Sequence, residues 1–161
     1  MNRVIHPFGP IYDENSQILF VGSIASIKSR EYGYPYASPH NRFWKVLEII
    51  FNERMMDYKK FLLKHNIALW DAIKSCEIVG SSDASIKNIE VNEIWEITKN
   101  SKIKKVFTNG KTAFKIYQKY IYPKTLIPAI CLPSTSPANA GKKLEELVED
   151  YRIILKYLYV K

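Results

Sequence analysis

Short apolar runs alternate along this chain with segments whose apolar residues recur at every third or fourth position. Runs at 17–21 and 104–108 predict buried strands, and the run at 67–70 predicts a short strand or an extended segment. A fourth run, 125–132, contains Pro128 and predicts either an edge strand or a strand that starts late. Helical spacing is found in five segments, namely 43–51, 57–65, 91–99, 111–120 and 144–158.

Strands that alternate with helices indicate the α/β class, with a largely parallel sheet covered by helices on both faces. The length of 161 residues fits one domain, which we place at 1–161. Loops that follow parallel strands can open together on one edge of the sheet. We therefore expect residues 22–41, Asn109 and residues 134–139 to lie near one another.

Two polar segments follow predicted strands. Residues 23–42 contain several Gly, Pro and polar residues, which predicts one long loop. Residues 133–139, Pro-Ser-Thr-Ser-Pro-Ala-Asn, lead from the last strand toward the last helix and are called the PSTSPAN segment below. Because a helix N-terminus offers free N–H groups to anions, this junction predicts a phosphate contact. The two segments together predict one composite site.

Charge points to a polyanionic partner. The chain has 24 Lys and Arg against 16 Asp and Glu, a formal net charge of +8. Such a charge either serves solubility or indicates a polyanionic partner, most often nucleic acid. Cys76 and Cys131 form no CxxC pair and the histidines do not cluster with them, so we expect neither a zinc nor an iron–sulfur site. Without a signal peptide or an apolar run of 18 residues, we expect a cytoplasmic protein with no membrane contact.

Several familiar catalytic motifs are missing. The sequence has neither the Gly-rich Lys-Ser/Thr loop of nucleotide hydrolases nor a GxGxxG turn. No GxSxG motif is present, and the serines of the two segments lack evident His and Asp partners, which argues against a hydrolytic triad.

The two segments instead carry neutral amides, hydroxyls and aromatic rings. An amide can pair with the edge of a base, a ring can stack on it, and hydroxyls can bind phosphate. This combination is typical of a protein that flips a base into a pocket. Structural roles are the alternatives: Asn139 and Asn41 as helix caps, Asn109 in a turn, and Phe43 and Trp44 in the core.

A set of short motifs extends over nearly the whole chain. It comprises Gly22-Ser23, Ser29-Arg-Glu31, Tyr36, Pro39-His-Asn-Arg-Phe-Trp44 and Leu132–Asn139, together with Leu69-Trp-Asp71, Ser75-Cys-Glu77, Gly80-Ser-Ser-Asp83 and Phe107–Lys111. These motifs together resemble the uracil-DNA glycosylase superfamily, and within it the DNA-deoxyinosine (hypoxanthine-DNA) glycosylases.

The resemblance implies a three-layer αβα sandwich with a short, mainly parallel central sheet. It implies a monofunctional DNA glycosylase without metal or cofactor, which acts on DNA that contains a deaminated base. The basic charge and the single domain fit a monomer. Hypoxanthine is the expected base, with uracil or xanthine possible, and the reaction would initiate base excision repair. The alternatives are a catalytically weak or silent DNA-binding relative and a hydrolase of free nucleosides.

The motifs also assign roles. Asn41 is the expected catalytic amide, which orients water and places a dipole near the developing charge, and Asn139 also contributes to catalysis. Asp71 and Asp83 are candidates for auxiliary carboxylates, and structural roles are the favoured alternative for both. The residues expected at the base are Gly22, Ser23, Tyr36 and Asn109. The residues expected at the DNA are Arg42, Ser134, Thr135, Ser136, Pro137 and Lys142.

The chain departs from the family pattern at three positions around the first segment. Ala25 stands where a proline is common, Pro35 replaces the first residue of a tyrosine pair, and Ser38 stands where a histidine is common. Because these positions border the expected pocket, the departures bear on the preferred base and on the level of activity.

Overall fold

Two sheets organise the fold. The computed structural model describes residues 2–80 and 82–158. Its strands are β1 (Asn2–Ile5), β2 (Ile18–Gly22), β3 (Ile67–Asp71), β4 (Ile73–Ile78), β5 (Lys87–Val91), β6 (Lys105–Asn109) and β7 (Ala129–Leu132). The central sheet has the order β3-β2-β6-β7 and is parallel throughout. The smaller sheet, β1-β4-β5, is antiparallel.

Short helices connect the strands. They are α1 (Ile27–Tyr32), α2 (Phe43–Phe51), α3 (Tyr58–Lys64), α4 (Ile94–Lys99), α5 (Lys111–Ile116), α6 (Tyr122–Thr125) and α7 (Leu144–Tyr151). A π-helical turn over Tyr117–Ile121 joins α5 to α6, and a 3-10 helix over Arg152–Lys156 follows α7. Within residues 2–80 and 82–158 we find no helix of the length and apolarity needed to cross a membrane.

The central sheet is covered by helices on both faces. Side chains alternate along a strand, so Phe20 of β2 packs with α2, α3 and α7, whereas Leu19 and Val21 pack with α4 and α5. The α/β class and the three-layer arrangement predicted from the sequence are therefore confirmed. The antiparallel sheet packs against the same side of the central sheet as α4 and α5, where Ile73 and Cys76 of β4 are buried together with Leu19 and Val21.

Buried rings fix the two helices that follow the polar segments. The Phe20 ring centroid lies 5.3 Å from that of Phe43 in α2 and 6.0 Å from that of Tyr151 in α7. All three rings are fully buried, and each such side chain stabilises the fold by about 1.5–3 kcal/mol. The Tyr151 hydroxyl also donates to the Pro133 carbonyl at 2.7 Å. The start of α2 and the end of α7 are thereby held against the sheet.

Most predicted elements are confirmed, including the strands at 17–21, 67–70 and 104–108. The last strand begins directly after Pro128 and lies at the sheet edge, as the missing proline N–H predicted. The helix predicted at 57–65 is capped by Asp57, whose Oδ1 accepts from Lys59 N at 3.1 Å and from Lys60 N at 3.2 Å. That residues 1–161 form a single domain stays a prediction.

Other expectations were wrong. The long loop predicted at 23–42 contains α1, which Ser26 caps through a hydrogen bond from Ser29 N and which Gly33 ends with φ of 85°. The helix predicted at 91–99 begins only at Ile94, because Val91 ends β5. The antiparallel sheet was missed since β5 is largely exposed and its pairing with β4 is irregular, which obscures strict alternation.

Candidate active site

A cleft of about 920 Å³ opens at the carboxyl ends of the parallel strands. The last residue of each central strand lines it: Gly22, Asp71, Asn109 and Leu132. The predicted meeting of the two polar segments with Asn109 is therefore confirmed. Other lining residues include Ser23, Tyr36, Asn41, Asp83, Ser134, Thr135, Ser136, Asn139 and Lys142.

Thr135 joins two of the predicted amides. Its side chain is fully buried. Asn109 Nδ2 donates to Thr135 Oγ1 at 2.9 Å, and Thr135 Oγ1 donates to Asn41 Oδ1 at 2.8 Å. Thr135 N also donates to Asn109 Oδ1 at 3.0 Å. Because this hydroxyl acts as donor and acceptor at once, it fixes the orientation of both amides.

The Asn41 amide has a defined orientation. A second hydrogen bond reaches its Oδ1 from Phe43 N at 2.9 Å. A backbone N–H can only donate, so the atom it meets is the amide oxygen. With both lone pairs of Oδ1 in use, the Nδ2 amino group is the part of Asn41 that faces the cleft. Asn41 thus accepts from the first N–H of α2, but Arg42 stands at the N-cap of this helix, so the alternative of Asn41 as its cap is wrong.

Arg42 connects the start of α2 to the β7–α7 loop, which we define as residues 133–143. Its guanidinium donates to backbone carbonyls of Thr135 at 3.4 Å, Ser136 at 2.9 Å and Asn139 at 3.1 Å, and also to that of Lys142. Arg42 N donates to the Thr135 carbonyl at 3.1 Å. These bonds occupy four of the five guanidinium N–H groups, so Arg42 holds the loop in place.

The hydroxyls of the PSTSPAN segment shape the loop itself. Ser134 Oγ accepts from Ser136 N at 3.1 Å, and Ser136 Oγ accepts from Ala138 N at 3.1 Å. Asn139 Nδ2 donates to the Ser134 carbonyl at 3.0 Å, which closes the turn. Pro137 and Ala138 are exposed at its tip.

The sequence suggested that the PSTSPAN segment leads into the last helix, but residues 140–143 separate the two. Helix α7 begins at Leu144 with Lys143 before it, so the alternative of Asn139 as its cap is wrong. Lys142, a predicted DNA contact, pairs with Asp150 at 2.8 Å. This bond to Asp150 raises the pKa of Lys142, which keeps its cation at the rim of the cleft.

Gly22 brings two polar side chains together at one wall of the cleft. A Cβ on Gly22 would lie 2.3 Å from Asp71 Oδ1 and 2.7 Å from Tyr36 Oη. The other carboxylate oxygen, Asp71 Oδ2, lies 2.6 Å from Nε2 of the buried His6. Tyr36 stacks on Phe43 with ring centroids 4.3 Å apart, so one of its faces is used within the protein. Only a glycine leaves room for this arrangement.

The Tyr36 hydroxyl is buried and, within residues 2–80 and 82–158, has no hydrogen-bond partner that meets normal geometry. Burial, reinforced by the nearby Asp71 charge, raises the pKa of Tyr36 well above its ordinary value. The phenol therefore stays protonated at neutral pH and can donate a hydrogen bond. Its backbone has φ of 55°, which directs the ring back toward the sheet.

A second carboxyl lies at the opposite rim. Partial burial raises the pKa of Asp83, while hydrogen bonds from Thr112 and Ser23 oppose that rise. These contacts join the segment after β4, the start of α5 and the end of β2. Asp83 thus connects three elements around Ser23, consistent with the structural role expected for it.

Comparison with known proteins identifies the family. The model of the Uracil DNA glycosylase superfamily matches residues 10–157. The chain belongs to this superfamily. A hypoxanthine DNA glycosylase of Methanosarcina acetivorans is 33% identical over 138 residues, which cover 82% of this chain and 86% of that protein. One of Methanosarcina barkeri is 38% identical over 114 residues, covering 65% and 70% of the two chains.

A solved structure agrees with this assignment. The solution NMR structure of a candidate uracil DNA glycosylase from Methanosarcina acetivorans has a TM-score of 0.76 and 28% identity. The match covers 93% of this chain and 98% of that one. The fold, the superfamily and the enzyme class predicted from the sequence, a DNA glycosylase, are confirmed.

In this glycosylase the structure gathers most of the predicted residues around one cleft. Gly22, Ser23, Tyr36 and Asn109 lie at its inner wall, while Asn139 and Lys142 lie at its rim. His6 was not predicted. His6 and Asp71 are 65 positions apart in the sequence, and no local pattern predicts their contact.

Proposed function

We propose that this glycosylase removes hypoxanthine, and also uracil or xanthine, from DNA by hydrolysing the N-glycosidic bond of a nucleotide flipped into the cleft. The observation that carries the proposal is the cleft itself, where the amide of Asn41 is locked by Thr135 beside Asn109. The relatives named hypoxanthine DNA glycosylase support hypoxanthine as the first choice.

The proposed reaction breaks the bond between C1′ and the base nitrogen. The base leaves with the bonding electrons, and the oxygen of a water molecule bonds to C1′. That water loses one proton, which balances the proton gained by the departing base, so the sugar keeps a hydroxyl group. The Nδ2 group of Asn41 faces the cleft, so it can donate to the departing base or hold the oxygen of the attacking water. One such preorganised donor typically accounts for about 10²–10³ in rate.

The rim residues fit the role of DNA contacts. Ser134, Ser136 and Lys142 line the mouth of the cleft, and Pro137 is exposed at the tip of the loop. The net charge of +8 favours a polyanion, and binding should weaken steeply with salt. We further propose that the protein acts as a monomer, in the cytoplasm, and that Arg42 positions the loop rather than contacting phosphate.

The test is a substrate panel. Duplexes with one hypoxanthine, uracil or xanthine are incubated with the protein, and abasic sites are cleaved with alkali. Asn41→Ala should lower the single-turnover rate on hypoxanthine by about 10²–10³. Asn139→Ala, which opens the turn at Ser134, should lower the rate by about 10-fold or more. Exposed Asn100, at the end of α4, provides a matched Asn→Ala control that should keep the wild-type rate.

Three results would contradict the proposal. Activity that survives the double substitution of Asn41 and Asn139 would refute the site assignment. Binding of damaged duplexes without any abasic product would identify a silent DNA-binding relative. Turnover of free inosine without DNA would identify a nucleoside hydrolase.

A further inference from the structure

A row of aromatic rings leads from the cleft to the protein surface. Tyr36, which lines the cleft, stacks on Phe43 with ring centroids 4.3 Å apart, and the Phe43 centroid lies 5.0 Å from that of Trp44. Next comes Tyr58, the first residue of α3, whose centroid is 6.2 Å from that of Trp44. Tyr58 in turn stacks on Tyr34 at 5.7 Å, with 27° between the ring planes. The row therefore continues beyond the cleft and ends at a pair of tyrosines.

This outer pair is exposed, although the rings before it are buried. Trp44 is 7% exposed, whereas Tyr34 and Tyr58 are only half-buried. Packing against the core accounts for the inner sides of the two rings. Their outer sides leave aromatic surface in water, which a stacked ligand could cover. We call Tyr34, Tyr58 and Lys59 the tyrosine patch.

The backbone holds Tyr34 firmly. Gly33 before it ends α1 with φ of 85°, and Pro35 after it has a fixed φ. The Pro35 carbonyl also accepts from Trp44 Nε1 at 2.9 Å. A ring that is held in this way loses little conformational entropy when a ligand stacks on it.

Positive charge lies beside the rings. Lys59 Nζ is 5.9 Å from the centroid of the Tyr58 ring, and Lys60, which follows, is also exposed. Asp57 is the acidic residue adjacent to Tyr58, and its Oδ1 already accepts from the backbone N–H groups of both lysines. Aromatic surface next to ammonium groups is typical of proteins that bind single-stranded nucleic acid, where bases stack and phosphates meet cations.

We propose that the tyrosine patch binds an unpaired DNA base, from a nucleotide next to the one that is flipped into the cleft. This inference rests on the proposed function and adds a second contact on the same strand. Tyr34 is two residues from Tyr36, so their backbones are no more than about 7 Å apart, a distance that one or two nucleotides span. The base stacks on the exposed ring surface, and Lys59 meets a phosphate.

The patch should act on single strands and gaps rather than on intact duplexes. In a duplex the neighbouring base stays paired with its complement and is not free to reach the patch. In a single strand that base is free to turn outward. Because every base has an aromatic face, the contact should depend little on which base stands there.

The experiment removes one ring from the protein and one base from the DNA. Single strands carry one hypoxanthine, and each neighbouring nucleotide in turn is replaced by an abasic tetrahydrofuran, which keeps the phosphate. On the intact strand, Tyr34→Leu and Tyr58→Leu should each lower kcat/KM at least about fivefold, the lower end for one stacked base. Wild type should lose a similar factor when the stacking neighbour is abasic, whereas both variants should then lose less than about twofold further.

The duplex shows whether a variant is intact. Both leucine variants should stay within about twofold of wild type on a hypoxanthine duplex, and Tyr34→Phe and Tyr58→Phe, which keep the rings, should match wild type on all substrates. An equal loss on single strand and duplex would overturn the inference, because the tyrosine would then only support α2. A variant that loses the same further factor as wild type on the abasic strand would also overturn it.

Matched controls lie on the π-helical turn between α5 and α6. Tyr120 is 39% exposed, and Lys119 Nζ lies 5.1 Å from the centroid of its ring. Tyr120→Leu and Lys119→Gln should act as wild type on every substrate. Lys59→Gln should instead reduce the slope of log K against log salt concentration for single strands by about 0.7, and an unchanged slope would refute the phosphate contact.

Binding of undamaged oligothymidine separates this inference from the proposed function, because it requires no base release. Weaker binding by Tyr34→Leu and Tyr58→Leu, with no release of hypoxanthine by wild type from any substrate, would contradict the proposed function and support the patch. Release of hypoxanthine by wild type, together with equal binding of oligothymidine by wild type and both variants, would overturn the patch alone.

Discussion

The central prediction concerns Thr135, the residue that joins the two halves of the site. Thr135→Val replaces a fully buried hydroxyl by a methyl group of similar size. The bond from Asn109 Nδ2 and the bond to Asn41 Oδ1 are both lost, while the Thr135 N–H bond to Asn109 Oδ1 remains. Asn41 then keeps only its bond from Phe43 N and can rotate about its side chain.

The magnitude follows from these two bonds. At about 0.5–1.5 kcal/mol for each neutral hydrogen bond, the free energy of unfolding should fall by about 1–3 kcal/mol. For a protein of this size each kcal/mol lowers Tm by about 2–4 °C, so we expect a decrease of about 2–12 °C. Misorientation of the Asn41 amide should cost about 10²-fold in the rate of base release.

Two assays check this prediction. Urea or thermal unfolding gives the stability change, and single-turnover release of hypoxanthine gives the rate at a temperature where both proteins are folded. Thr135→Ser is the matched control, because it keeps the hydroxyl and loses one methyl group, which costs about 0.8 kcal/mol. A Val variant as fast as wild type, or a Ser variant as slow as the Val variant, would refute the proposed bridge.

Three further predictions follow from the same contacts. Gly22→Ala should destabilise the protein by about 1–3 kcal/mol and abolish most activity, because its Cβ would overlap two polar side chains. Gly9→Ala is the control: its Cβ would have no atom within 4 Å, so unfolding and activity assays should show no change. Arg42→Gln should lower kcat by about tenfold or more, because the loop is released, and should leave the salt dependence of DNA binding unchanged. Loss of a phosphate contact would instead reduce the slope of log K against log salt concentration by about 1. The exposed Arg54, changed to Gln, is the control. Because the pKa of Tyr36 is raised well above 10, ionisation of this phenol should not lower the rate of base release up to about pH 10. A decrease in rate near pH 9 that is absent from the Tyr36→Phe variant would contradict this prediction.

Much of the fold followed from local sequence. The apolar runs that became β2 and β6 are short and bounded by glycine, and Pro128 marked the start of β7. These features depend on backbone geometry and burial within a few residues, which a sequence displays directly. The antiparallel sheet was missed because β5 is largely exposed and pairs with β4 in irregular register.

The sequence by itself determined the α/β class, the edge at which the site lies and the superfamily whose motifs the chain carries. It could not show that Thr135, 94 positions from Asn41, bonds to it, or that Arg42 binds loop carbonyls rather than DNA. It also could not pair His6 with Asp71 or set Tyr36 beside that carboxylate. Such contacts depend on the order of the strands in the sheet and on which loops meet where the parallel strands end. Both are set by the tertiary structure, because the residues involved are far apart in the sequence.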